Sequence, residues 1–161
     1  MSGEKVKRTR GFSLIELVIV VVIIGVISAI AIPRMTRGAN NAGASALKGN
    51  LSVLRSGIEL YRAEHEGAFP TAAKTKEQLT MYTKIDGTDE NVIADQASGR
   101  IYGPYIREIP PLPVGAKKGK KDIAAAVGAN VGWVYDVATG SIIAGSADTE
   151  LDLDGVKYNT Y

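Results

Sequence analysis

The strongest pattern along the chain is an apolar run near its N-terminus. Between Phe12 and Ile32 only Ser13, Glu16 and Ser28 are polar. An α-helix of this length spans about 30 Å, which matches the hydrocarbon core of a bilayer. The run therefore predicts a membrane-spanning helix at residues 12–32. Its one ionisable side chain is out of place there, because hydrocarbon disfavours a charged carboxylate by about 3 kcal/mol.

A second apolar pattern follows with helical spacing. One face carries an apolar residue at every third or fourth position: Leu47, Leu51, Leu54, Ile58 and Tyr61. This seam predicts that the helix continues over 12–66 and stops before Gly67. A helix kink is expected at Pro33, which lacks an amide donor, with a softer glycine- and asparagine-rich segment after it. Irregularities that the helix simply tolerates are an equally good interpretation.

Residues 67–161 carry shorter patterns that indicate a compact head. A short helix is expected over 76–84, where Thr75 and Gln78 have the spacing of a capping box. Two β-branched runs within 132–145 flank a turn at Gly140 and predict a β-hairpin.

The proline-rich segment 104–115 predicts irregular structure. The fold class is therefore α+β: a long N-terminal α-helix, membrane-spanning in its first half, with a small antiparallel β-sheet head packed on its C-terminal half.

Composition excludes several kinds of chemistry. The chain has no cysteine, and its one histidine, His65, is expected on a solvent-facing helix end. No phosphate-binding glycine motif, zinc motif or nucleophile elbow is present, so no enzyme activity is expected. The formal net charge is +2, and the first eleven residues alone contribute +3. No nucleic-acid partner is expected for the remainder. The lysines within 117–121 indicate a solvated loop tip or, alternatively, a docking patch.

Basic residues before an apolar run keep the N-terminus cytoplasmic and direct the rest across the membrane. A plain single-pass anchor fits this arrangement. A removed secretory signal also fits, because residues 29–31 have the small-x-small pattern of a signal peptidase site. Neither interpretation explains Glu16.

The string RGFSLIEL at residues 10–17 resembles the leader junction of type IV pilins and type II secretion pseudopilins. The resemblance implies that residues 1–11 are a basic leader, removed by a prepilin peptidase between Gly11 and Phe12. The same enzyme would methylate the new amine of Phe12, and the apolar segment would be kept. Membership of this family also implies a homo-oligomeric filament built by an inner-membrane assembly platform.

Glu16 then has a physical role. Placed beside the Phe12 amine of a neighbouring subunit, its carboxylate would cancel two unpaired charges in the membrane and fix the axial register of the helices. Pairing with the amine of its own chain before assembly is the alternative. The protein is expected in the inner membrane as a single-pass subunit, N-terminus cytoplasmic and head periplasmic, and then in the filament.

The C-terminal part holds a candidate metal site. Resemblance to major pseudopilins implies a calcium-stabilised loop, and hard carboxylate oxygens suit Ca²⁺. The acidic residues of the loop 146–155 are Asp148, Glu150, Asp152 and Asp154. An exposed acidic loop without metal is the alternative, since residues 112–115 lack the Asp-Pro-Trp-Gly type of segment associated with major pseudopilins. No other cofactor is expected.

The sequence thus predicts a structural subunit of a type IV pilus-like or type II secretion pseudopilus filament. A membrane-anchored or secreted periplasmic binding domain with no filament role is the alternative.

Overall fold

The computed structural model describes residues 12–161, without the side chains of residues 33–34, 36–37 and 39–40. The predicted leader, including Gly11, lies outside the described residues. Contacts divide the chain into two compact units, residues 1–38 and 39–161.

The long helix α1 comprises Leu14–Glu64, 51 residues, close to the predicted 12–66. Helical structure continues through Pro33, and the kink expected there stays a prediction. The helix ends where the sequence indicates. Gly67 has a φ of +85°, and its amide donates to the carbonyl of Arg62 at 2.9 Å. This six-residue closure is a Schellman arrangement, whose left-handed C′ position is taken by Glu66 with a φ of +55°. Gly67 follows it and adopts its own left-handed conformation at little cost.

The predicted apolar seam of α1 is confirmed as one wall of the head's core. All five of its residues are at most 2% exposed: Leu47, Leu51, Leu54, Ile58 and Tyr61. Full burial of such a side chain contributes about 1.5–3 kcal/mol. The seam therefore fixes the C-terminal part of α1 within unit 39–161.

The short helix α2 comprises Thr75–Thr80, which is shorter than the predicted 76–84. The predicted capping box is wrong, because Thr75 and Gln78 both turn to Thr71. The hydroxyl of Thr75 donates to the Thr71 carbonyl at 2.7 Å, and Oε1 of Gln78 accepts from the Thr71 amide at 2.7 Å.

In the described part of the chain, three strands form one sheet in the order β1-β2-β3. They are β1 (Asp122–Ala124), β2 (Val131–Asp136) and β3 (Ser141–Ala144). The predicted hairpin is confirmed as β2-β3, which pair antiparallel with Asp136 opposite Ser141. Gly140 has the expected left-handed φ, +72°.

The expectation of a purely antiparallel sheet is wrong for β1, which pairs parallel to β2 with Asp122 opposite Val131. Residues 125–130 carry the chain back to the start of the sheet, so both strands run in one direction. A three-residue strand with a register shift has no alternating pattern that sequence analysis could detect.

The head's core joins the α1 seam to the hairpin and to the proline-rich segment. Trp133 and Tyr135 of β2 and Ile142 of β3 are at most 1% exposed. The segment 104–115 is irregular, as predicted, and contributes its own buried residues, Ile106, Ile109, Leu112 and Val114. The indole of Trp133 donates to the carbonyl of Pro110 at 2.8 Å, so this segment is held by polar as well as apolar contacts.

Candidate assembly and processing site

The described N-terminal end of α1 presents an apolar surface. Every described residue from Phe12 to Ile32 is exposed except Ser28 and Ala31, which are half-buried. Residues Leu14–Ile32 form one helix long and apolar enough to cross a membrane, which agrees with the predicted span at 12–32. A contiguous apolar surface of this size requires lipid or other helices around it.

Phe12 is 81% exposed and lies two residues before α1 begins. An amine created at Phe12 would therefore stand at the free end of the helix, open to a neighbouring chain. Its cleavage partner Gly11 lies outside the described residues, so processing between them stays a prediction.

Glu16 has a partner that the sequence analysis missed. One of its carboxylate oxygens accepts a hydrogen bond from the backbone amide of Ser13 at 2.9 Å. The carbonyl of Ser13 in turn accepts from the amide of Glu16 at 3.1 Å. Ser13 is thus the N-cap of α1, and Glu16 supplies the glutamate half of a capping box. The Ser-x-x-Glu spacing at 13–16 was the signal that could have revealed it.

This hydrogen bond uses Oε2 of Glu16. The cap holds the carboxylate at the first turn of α1, where the helix dipole favours negative charge. The same position is one helical turn from Phe12.

Among residues 12–161, no three or more acidic, histidine or cysteine side chains come close enough together to hold a metal ion. The four acidic residues of the loop 146–155 do not converge. Glu150 accepts from the amides of Ala116 and Ala147 at 2.5 and 2.9 Å. Asp148 accepts from Nδ2 of Asn159 at 2.6 Å.

Asp152 is similarly engaged. One oxygen accepts from the amides of Asp154 and Val156 at 2.9 and 2.8 Å, and the other accepts from the hydroxyl of Tyr161. These donors hold the pKa of Asp152 below its usual value, the Tyr161 hydroxyl contributing most. Two buried oxygens of the region, Oγ of Ser146 and Oδ1 of Asn159, have no hydrogen-bond partner. With the carboxylates dispersed, they do not complete the six to eight oxygen ligands of Ca²⁺. The four predicted ligands do not fit this ion as a set.

Lysines of the basic run 117–121 bond to other residues of the head. Lys117 donates to the carbonyl of Gly145 at 2.6 Å, and Lys120 donates to Oδ1 of Asn130 at 2.9 Å. Lys121 pairs with Glu108 at 2.9 Å. These contacts favour the loop-tip interpretation over a docking patch.

His65 is buried, at 2% exposed, so its expected position on a solvent-facing helix end is wrong. Its ring stacks on Tyr61 with centroids 3.7 Å apart. Nδ1 lies 2.8 Å from the carbonyl of Tyr61, and Nε2 lies 2.9 Å from the hydroxyl of Thr83. Since the carbonyl can only accept, Nδ1 donates to it, and Nε2 shares a hydrogen bond with the Thr83 hydroxyl. Both ring nitrogens are occupied by structural hydrogen bonds.

Comparison with known proteins supports the N-terminal assignment. Residues 6–32 match the family described as the prokaryotic N-terminal methylation motif. The chain is 25% identical over 113 residues to type II secretion system core protein G of Pectobacterium carotovorum, covering 70% of this chain and 67% of that protein. It is 27% identical over 109 residues to the core protein G of Pseudomonas aeruginosa, covering 68% and 70%.

A more distant relative covers a shorter part of the chain. The ComG operon protein 3 homolog of Bacillus licheniformis is 26% identical over 69 residues, which is 43% of this chain and 71% of that protein. No solved structure matches the chain.

Proposed function

We propose that this chain, as a member of the type IV pilin and type II secretion pseudopilin family, is a structural subunit of a pseudopilus or pilus-like filament. The observation that carries the proposal is the exposed apolar helix Leu14–Ile32. It lies within the match to the methylation motif, residues 6–32, and holds Glu16 in its first turn. In an anchor alone, the carboxylate of Glu16 would serve only as the cap of the helix.

Two core protein G relatives, each with about 70% of this chain covered, favour the pseudopilus branch of the family. The role is structural rather than catalytic. The sole histidine is hydrogen-bonded in the core to Tyr61 and Thr83. Three acidic side chains of the loop 146–155 accept hydrogen bonds from the chain itself: Asp148, Glu150 and Asp152.

Processing is the first step of the proposal. A prepilin peptidase cuts between Gly11 and Phe12 and methylates the amine of Phe12. The product keeps the whole apolar helix and begins with a cationic residue at its exposed end. Because basic residues precede the apolar run, the precursor inserts with its N-terminus cytoplasmic and its head periplasmic. An inner-membrane assembly platform then draws subunits from the bilayer into the filament.

Assembly is the second step. The Phe12 amine of an incoming subunit pairs with Glu16 of a neighbour already in the filament. Each charge alone is costly in hydrocarbon. Removing one partner of such a buried pair typically costs about 3–5 kcal/mol, whereas the intact pair adds little net stability. The pair therefore fixes the axial register of neighbouring helices. Apolar contacts alone would allow one helix to slide along the next.

Mass spectrometry of the N-terminal peptide tests the proposal. The full-length gene is expressed with a prepilin peptidase, and the protein is extracted from the membrane. The expected N-terminus is N-methylated Phe12. An N-terminus at Ile32 would show an ordinary secreted domain, and one at Met1 or Ser2 would show a plain anchor; either contradicts the proposal. A parallel expression without the peptidase should retain the leader.

A further inference from the structure

We infer that the C-terminal loop 146–155 is closed by the chain's own hydrogen-bond donors and needs no calcium ion. This inference is independent of whether the protein forms filaments. It rests on the hydrogen bonds that the carboxylates of Glu150 and Asp152 accept and on how Tyr161 is held.

Glu150 fastens the loop to the proline-rich segment. Its two carboxylate oxygens accept from two backbone amides, that of Ala116, directly after the proline-rich segment, and that of Ala147 within the loop. Gly115 makes room for this contact, since a Cβ there would lie 2.8 Å from both carboxylate oxygens of Glu150. Both carboxylate oxygens of Glu150 are therefore occupied by donors of the chain itself.

Asp152 closes the second half of the loop. It accepts from the amides of Asp154 and Val156 and from the hydroxyl of Tyr161. Its own amide donates to the carbonyl of Val156 at 2.9 Å. Three donors of the chain thus bond to one carboxylate. They stabilise its charged oxygens in the way that a bound cation otherwise would.

Tyr161 connects this closure to the core helix. Its backbone carbonyl accepts from the guanidinium of Arg55 at 2.6 Å, and the same Nη2 atom lies 3.3 Å from the carbonyl of Ile142 in β3. The ammonium of Lys48 lies 4.6 Å from the centre of the Tyr161 ring. Both basic residues are on α1, so the phenol that reaches Asp152 is positioned by the part of α1 within unit 39–161.

Thermal unfolding of the full-length protein in detergent tests this closure. Trp133 is the only tryptophan and is fully buried in the head, so its fluorescence reports on head unfolding. Melting is measured with 1 mM CaCl₂ and with EGTA, for the wild type and for Tyr161→Phe. Tyr82→Phe is the matched control, because the Tyr82 hydroxyl has no hydrogen bond in the described part of the chain.

We expect the same Tm with calcium and with EGTA. Tyr161→Phe should lower Tm by about 3 °C or more in both solutions, and Tyr82→Phe should not. A Tm that rises with calcium, as mass action requires of a bound ligand, would overturn the inference. So would a Tyr161→Phe variant that melts like Tyr82→Phe. Glu150→Gln is a second probe, because an amide group in that position would place its NH₂ against a backbone amide and lower Tm regardless of calcium.

Discussion

Gly57 on α1 lies directly against Ile106 of the proline-rich segment. A Cβ added at Gly57 would come within 2.8 Å of Cγ2 of Ile106, and both residues are buried. Because Gly57 has no side chain, the irregular segment 104–115 can approach the helix closely. This close approach allows Ile106 to pack in the core.

Gly57→Ala is therefore expected to destabilise the head, whereas Gly49→Ala should not. Gly49 is exposed on the same helix with open space around it, so alanine there should add about 0.5–1 kcal/mol through helix propensity alone. At Gly57 the same gain is outweighed by overpacking, which costs about 1–3 kcal/mol. Thermal unfolding followed by Trp133 fluorescence should move in opposite directions for the two variants, and equal stabilisation would contradict this packing account.

The seam of α1 and the β2-β3 hairpin could be predicted because each is a local periodic pattern. The residues whose surroundings could not be predicted are packed against segments that are distant in the sequence. His65 is covered by Thr83 and Tyr105, which are 18 and 40 residues away. A lone histidine at a helix end does not reveal that residues from distant segments cover it.

The hydrogen bond at the N-terminus of α1 could be predicted from the sequence, whereas the bonds of the acidic loop could not. The Ser13–Glu16 cap is a local feature that the Ser-x-x-Glu spacing predicts. In the acidic loop, sequence proximity does not show that the carboxylate of Glu150 accepts from the amide of Ala116, 34 residues away.

His65→Ala should destabilise the head by about 2–3 kcal/mol, because it removes a stacked ring and leaves Thr83 buried without its partner. Glu59→Ala on the same helix is the control, since its ion pair with Arg62 is solvent-exposed and worth about 0–1 kcal/mol. Chemical denaturation of both variants measures the difference. Similar values for the two would mean that the buried histidine contributes nothing.

The Tyr161–Asp152 hydrogen bond predicts that its contribution to the stability of the head is lost at both low and high pH. The pKa of Asp152 is lowered, chiefly by the Tyr161 hydroxyl, so its stabilisation is present above its ordinary value of 3.8 and is lost as pH falls below it. The same hydrogen bond raises the pKa of Tyr161 from 10.0 to about 12, so its stabilisation is present below pH 10 and is lost as pH rises toward 12.

The difference in Tm between the wild type and Tyr161→Phe should therefore be constant from about pH 5 to 9 and shrink on both sides of that range. Taking the difference cancels other carboxylates with lowered pKa values, such as Asp136, which titrate in both proteins. A difference that stays constant down to pH 2 would contradict the assigned hydrogen bond.

Gly11→Val should block leader removal, since the proposed peptidase cuts after a glycine. Intact mass of the membrane-extracted protein should then show only the precursor, even when the peptidase is co-expressed. Gly3→Val places the same substitution within the leader and away from the junction, so it should be processed normally. Mature protein from Gly11→Val would count against a prepilin-type peptidase.

Glu16→Val should insert into the membrane at least as well as the wild type, because the segment becomes more apolar. The cleavage junction is unchanged, so mature protein should accumulate in the inner membrane without forming filaments. This variant removes both the helix cap and the charge, and thus cannot distinguish their contributions. Processing and membrane content are checked by N-terminal mass spectrometry of the membrane fraction.

Glu16→Gln separates the two roles and tests the account most directly. Glutamine can still accept from the amide of Ser13, since a capping box tolerates either residue, but it cannot balance the ammonium of a neighbour's Phe12. The measurement is the yield of sheared filaments from cells with the assembly machinery, compared with Glu59→Gln on the exposed face of the same helix. We expect abundant filaments from Glu59→Gln and from the wild type, and none from Glu16→Gln, although its subunits are cleaved and methylated. Wild-type filament yield from cleaved Glu16→Gln subunits would show that Glu16 acts only as a helix cap, and would contradict the pairing of its charge with Phe12.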